Sequence, residues 1–317
     1  MAKKKKGAKR RDERKKKKDK PNRGRSPSDL LSPNGQQELQ TAFQCLSTGE
    51  TERAENLFQK VLQEQPDQPV ALHLLGVIAF QQGRHEQSID LIQKAISANP
   101  EYPDAEYNLG RIFEDIGKDD AAIKHYKKAV RLNPDYFQAY FNLGNIYKAS
   151  GKFDRGISCY EKAINIEPNY PNALFNLGKI YMDMGQLEKA IECFQKAVSI
   201  QPDFVDAFMD LGETLRRLNK YDDAIAIYKK ILTINPDDHL AHYNLALVFQ
   251  ENGQPEKAVS HCKLSIDIEP NFDEGQFLYG GFLNIRGDYE KGLEYQQKGR
   301  GVIEFCNDDS SQFRILD

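Results

Sequence analysis

No apolar run in this chain approaches the ~20 residues needed to cross a bilayer, and its N-terminus carries no apolar segment able to direct secretion. The expected compartment is therefore cytoplasmic. Cysteine is scarce and unpaired in pattern: Cys45, Cys159, Cys193, Cys262 and Cys306 are odd in number and form no Cys-x-x-Cys motif. That argues against a disulfide framework or a standard zinc site and fits a reducing environment. No phosphate-cradling glycine loop is present, so no nucleotide cofactor is expected. Tryptophan is absent altogether. The first 25 residues hold no aromatic side chain, which removes base stacking from anything that segment does.

What the chain has is a period. Pro66, Pro100, Pro134, Pro168, Pro202, Pro236 and Pro270 stand 34 residues apart, and a fixed period of this length marks stacked repeats. Eight units follow: 35–68, 69–102, 103–136, 137–170, 171–204, 205–238, 239–272 and a degenerate 273–306. Their eighth places are Ala42, Gly76, Gly110, Gly144, Gly178, Gly212, Ala246 and Gly280. Their fifteenth places are glycine except for Asn219, and their twentieth places are small throughout.

Each unit reads as two helices. Tyr140, Leu143, Gly144, Ile146 and Tyr147 recur at three- and four-residue steps, and the pattern restarts at Ile157 after Ser150-Gly151. The fifteenth-place residue is expected to turn the chain at positive φ. The small eighth-place residues are expected to let the two helices approach. The proline ends the second helix. Asp135, Asn169, Asp203, Asp237 and Asn271, directly after five prolines, suggest turn and cap chemistry for the next helix.

Leu143-Gly144, Tyr147, Ala163 and Pro168 resemble the tetratricopeptide repeat signature, as do Leu177-Gly178, Tyr181, Ala190, Phe194, Ala197 and Pro202. The resemblance implies an all-α, right-handed superhelical solenoid of about eight helix-turn-helix repeats. One departure is systematic. Without tryptophan, the fourth place holds Glu38, Leu72, Glu106, Tyr140, Leu174, Phe208, His242 or Gln276. An apolar stem is expected to cover the same helix seam. The end units are worn: Glu38, Thr41 and Cys45 in the first, Gln296, Gly299 and Glu304 in the last. A solenoid needs such polar caps.

Charge is split unevenly. Residues 1–25 carry 15 Lys/Arg and 3 Asp/Glu, a net +12; since the whole chain is −3, residues 26–317 carry −15. Residues 1–34 read as a disordered lysine-rich tail and linker. The tail is either a solubilising arm or a weak, salt-sensitive contact for nucleic acid or an anionic surface. A nuclear address would apply in a eukaryotic host. Residues 307–317 form a C-terminal tail. The β-prone runs Gly301–Phe305 and Gln312–Leu316 fit either a hairpin over the last helix pair or a stub leading to another domain.

In such a solenoid the second, sixth, ninth and thirteenth places of the first helices face the concave side. The sixth reads Asn108, Asn142, Asn176, Asp210 and Asn244, beside Tyr107, Phe141 and Phe175; Asn145 and Asn172 extend the row. An amide both donates and accepts, so a ladder of amides suits an extended peptide backbone. The row resembles the asparagine-lined groove of O-GlcNAc transferase and Spindly-type arrays, here without a catalytic domain. The lysines that tetratricopeptide co-chaperones use against carboxylate tails are missing from the second and fifth places.

Two clusters invite other chemistry. Asp206, Asp210 and Glu213 share a helix face, and read better as a solvated row balanced by Arg216 and Arg217 than as an acid/base pair. His239, His242, His261 and Cys262 match no standard metal spacing. The function expected is therefore non-catalytic and cofactor-free: a scaffold that binds extended segments of protein partners. Asn108, Asn142, Asn145, Asn172, Asn176 and Asn244 would hold the backbone. Arg111, Lys179, Asp183, Asp210 and Glu213 would set specificity. Two alternatives stand beside it, a substrate-recruiting partner or fragment of a glycosyltransferase-like enzyme, and an RNA or ribosome adaptor acting through the basic tail.

Overall fold

The computed structural model describes residues 31–300, which fold into sixteen helices. They belong to two compact units divided between Pro134 and Asp135. The first holds α1 (Pro33–Ser47), α2 (Thr51–Glu64), α3 (Pro69–Gln81), α4 (His85–Ala98), α5 (Pro103–Asp115) and α6 (Asp119–Leu132). The second opens with α7 (Phe137–Ala149), α8 (Phe153–Ile166), α9 (Pro171–Asp183), α10 (Leu187–Ile200) and α11 (Val205–Arg217). It continues through α12 (Tyr221–Ile234), α13 (His239–Glu251), α14 (Pro255–Ile268), α15 (Asp273–Ile285) and α16 (Tyr289–Arg300). The class is an all-α helical-repeat solenoid. The basic tail, Cys306 and the runs after residue 300 lie outside the described residues.

The turn inside every pair is made as its sequence demands. Gly151 sits at φ 68°, and Asn219, the one non-glycine in that column, takes the same left-handed geometry at φ 57°. Residues before the repeat prolines are extended, as the proline ring requires: Glu167 at φ −122°, ψ 90°, and Asn235 at φ −133°, ψ 98°. Proline occupies the first helical position of α3, α5 and α9, where its missing N–H costs nothing.

The expected caps are a correction. Asp135, Asn169, Asp203 and Asn271 do not cap; the cap positions of α7, α9, α11 and α15 belong to Tyr136, Tyr170, Phe204 and Phe272, with no side-chain bond. The ring matters more there than the bond, because it packs between repeats. Phe141 meets Tyr170 at 4.9 Å between centroids, Phe175 meets Phe204 at 5.0 Å, and Tyr243 meets Phe272 at 5.1 Å. Where no ring stands, Asp238 does cap, accepting from Ala241 N at 2.9 Å. The first repeat also starts earlier than residue 35. Ser32 caps α1, accepting from Gly35 N at 3.0 Å, and Leu31 is buried against the first pair.

Close helix approach comes from rings seated on glycine. A Cβ on Gly144 would lie 2.6 Å from Tyr160, and one on Gly178 would lie 2.6 Å from Phe194. Tyr126, Tyr160, Phe194 and Tyr228 are fully buried in this way. In the seventh repeat Ala246 faces the smaller Cys262, both without solvent contact. In the last repeat Gln296 takes the ring's place beneath Gly280 and bonds Asn284 at 3.1 Å.

The fourth place is only partly an apolar seam. Tyr140 and Phe208 carry Lys162 and Lys230 over their rings at 5.3 and 4.8 Å. Glu106, however, is a buried carboxylate held by His125 at 2.7 Å and by Lys128. Burial raises its pKa, but the bonds from His125 and Lys128 outweigh that and keep it below the usual range. His242 pairs with His261, ring nitrogen to ring nitrogen, at 2.9 Å. These polar residues are tolerated because each has a dedicated partner on the second helix.

Candidate functional site

Because α7, α9 and α11 are equivalent helices, their sixth and ninth places form one row within the second unit. Asn176 reaches back to the α7 helix: its Nδ2 donates to Asn145 Oδ1 at 3.3 Å. Asn145 Oδ1 also accepts from the Tyr160 hydroxyl at 2.7 Å. Lys148 donates to Asn176 Oδ1, and Lys179 reaches forward to Asp210 at 3.0 Å. Burial, and then the Lys179 ammonium, lower the Lys148 pKa against the pull of Asp183 and Asp210. The row is thus a cross-repeat network rather than a set of separate amides.

The other candidates sit around it. Asn142 is half-buried and already partnered, whereas Asn172 at the start of α9 is exposed. Glu213 takes a two-pronged bond from Arg216, at 2.9 Å on both oxygens, and Arg216 extends to Glu251. The balance expected for the three carboxylates is therefore amended, with Asp210 going to Lys179 and Glu213 to Arg216. Asn244 Nδ2 approaches the Met209 sulfur at 3.9 Å. Phe141 and Phe175 are half-buried, each tilted on the ring beneath it, Tyr160 or Phe194, as well as on the interrepeat ring.

Asn108, Tyr107 and Arg111 belong to the first unit. Asn108 Nδ2 donates to His73 Nε2 at 2.8 Å, which leaves His73 Nδ1 to donate to the Tyr102 hydroxyl at 2.9 Å. Burial lowers the His73 pKa to about 4, in keeping with a neutral ring. Tyr107 packs on Tyr126, and Arg111 lies over Phe80 at 5.8 Å.

The histidine-cysteine group does not converge. His239 faces Phe272, His242 faces His261, and Cys262 Sγ donates to Gly275 O. Among the described residues no three His, Cys, Asp or Glu side chains gather as metal ligands, and no helix is long and apolar enough to cross a membrane.

Lys148, Tyr160 and His73 were not anticipated. Tyr160 was readable only as core, because its hydroxyl's reach depends on the glycine beneath it. His73 is the one histidine in the fifth-place column, and that was the available signal.

Models of the family described as TPR repeat match residues 110–151, 144–185 and 212–253; models described as tetratricopeptide repeat match 46–108, 171–204, 193–226 and 240–272. The chain belongs to the tetratricopeptide repeat family. The match at 171–204 coincides with the fifth unit read from the prolines. No curated protein sequence matches the chain.

Solved structures agree on the fold. The C-terminal part of a TPR repeat-containing protein from Cytophaga hutchinsonii superposes with a TM-score of 0.64 at 19% identity, covering 75% of this chain and 97% of that one. PilF of Pseudomonas aeruginosa gives 0.55 at 18%, covering 68% and 97%. YrrB, described as a TPR protein with an unusual peptide-binding site, gives 0.53 at 21%, covering 65% and 97%. Tetratricopeptide repeat proteins are in general non-catalytic interaction modules.

Proposed function

We propose that this tetratricopeptide repeat protein is a non-catalytic scaffold that holds an extended segment of a protein partner along the first helices of the second unit. The observation that carries the reading is the row Asn145–Asn176–Lys148 with Lys179–Asp210, which fixes amide and charged groups at repeat spacing before any ligand arrives. A network already ordered loses little entropy on binding. Exposed Asn172 and half-buried Asn142 offer amides on the same helices. The described similarity of fold to YrrB, whose own description names a peptide-binding site, is in keeping with this use.

The test is capture of partners on the immobilised full-length chain, with bound proteins identified by mass spectrometry. Asn142→Ala with Asn176→Ala, and separately Asn172→Ala, are expected to lose partners that deletion of residues 1–25 retains. Circular dichroism melts confirm that the variants stay folded. Partners lost only with the tail would overturn the reading.

A further inference from the structure

The repeat face changes character at its C-terminal end, and a glycine marks the change. At the ninth place the second unit reads Asn145, Lys179, Glu213, Leu247 and then Gly281. Every earlier repeat of the unit covers this spot with a side chain; α15 leaves it bare. A Cβ on Gly281 would meet nothing nearer than the Gln296 amide at 3.9 Å, in contrast to the crowded glycines of the eighth place.

Gly281 lines a cavity of about 490 Å³, within the roughly 300–1,000 Å³ typical of ligand pockets. Tyr243 of α13 and Phe277, Leu278, Phe282 and Ile285 of α15 make its apolar wall, with Asp273 and Glu274 at one side. Ile285 is 80% exposed, and Leu240 on the neighbouring α13 helix is 43% exposed. A glycine in mid-helix and an isoleucine in water both break local rules, and such breaks concentrate at functional positions.

We propose that this cavity takes one bulky apolar side chain, leucine or phenylalanine, from a partner segment that carries lysine or arginine within a few residues of it. The inference rests on the groove reading above and names the partner's chemistry. Charge complementarity decides the flanking residue. The second places on α11, α13 and α15 are Asp206, Leu240 and Glu274, so the first helices on either side of the exposed Leu240 each carry a carboxylate at that place, and Glu274 lines the cavity. Asp273 adds a second carboxylate at the cavity itself. An anchor with a cation beside it satisfies both, whereas an acidic segment meets repulsion.

The probe is a random twelve-residue peptide library displayed on phage and selected on the full-length chain. Enriched peptides are expected to pair leucine, isoleucine, phenylalanine or methionine with nearby lysine or arginine. A labelled representative should bind at least about tenfold more weakly to Gly281→Leu, which sets an apolar side chain into the cavity from a Cβ with no neighbour nearer than 3.9 Å. Asp273→Asn with Glu274→Gln should weaken it several-fold and flatten its salt dependence.

Unchanged affinity for Gly281→Leu overturns the proposal, as does enrichment of acidic peptides. Enrichment that appears only after residues 301–317 are removed also overturns it, and assigns the cavity to this chain's own segment. Peptides that need Asn142 and Asn176 but ignore Gly281 sink the cavity and keep the groove. No enrichment at all sinks both.

Discussion

On α7, α9 and α11 the sixth and ninth places are amides and charges, among which Asn145–Asn176 and Lys179–Asp210 bond across repeats; on α13 and α15 the same places are Asn244, Leu247, Leu278 and Gly281. One helix face thus passes from a satisfied polar network to an open apolar hollow within a single compact unit. The backbone barely distinguishes the two stretches, since all five first helices share length and turn geometry. Side chains set on a constant frame make the difference. A repeat fold can therefore vary its recognition surface place by place without renegotiating its core.

The largest expected effect tests the core beneath the two stretches. Phe194→Ala removes a fully buried ring from under Gly178 and should cost about 3–5 kcal/mol in denaturant unfolding. Gln296→Ala, the equivalent change beneath Gly280, should cost much less, because it removes a hydrogen-bonded amide rather than a ring. Equal losses would mean that the two stretches share one kind of core.

Two glycine substitutions come next. Gly178→Leu drives a side chain into Phe194 and should destabilise by about 1–3 kcal/mol. Gly281→Leu adds a good helix former whose Cβ meets nothing nearer than 3.9 Å, and should leave stability unchanged or raise it by up to about 1 kcal/mol. The melting temperature should fall for Gly178→Leu and hold or rise for Gly281→Leu.

Acid should separate the stretches most gently. Burial, and then His242, lower the His261 pKa from 6.5 to about 4. A base whose folded pKa is depressed contributes stability fully above its unfolded pKa and loses it as pH falls through 6.5 towards 4. Histidines of the second unit occur only in α13 and α14, so mild acid should loosen that pair while α7–α12 hold. Hydrogen exchange at pH 7 and pH 5 reads the effect, and His261→Phe with His242→Leu should abolish it.

The period, the turn column and the two-helix unit were legible in the sequence because each rests on local backbone chemistry repeated many times. Gly151 and Asn219 turn the chain for reasons visible without coordinates. The caps were misread because Asp135 and Asn169 are good capping types, yet a neighbouring ring gains more by packing between repeats than they gain by bonding. The asparagines were found, but not their mutual bonds, since Asn145 and Asn176 stand 31 residues apart and meet only through the helix stacking. Gly281 stood in plain view as the odd member of its column. Its meaning needed the cavity, for a lone glycine says nothing about the space beside it.

None of the described cysteines is in a disulfide: Cys45, Cys193 and Cys262 are buried and Cys159 is half-buried. Burial pushes the Cys193 thiol up to about 11 and the Cys262 thiol up to about 12, so neither ionises at neutral pH while its helix pair is closed. They stand in different repeats, α10 and α14. Alkylation of each by a mass-tagged reagent then becomes a stopwatch, and the order in which the tags arrive records the order in which the repeats breathe.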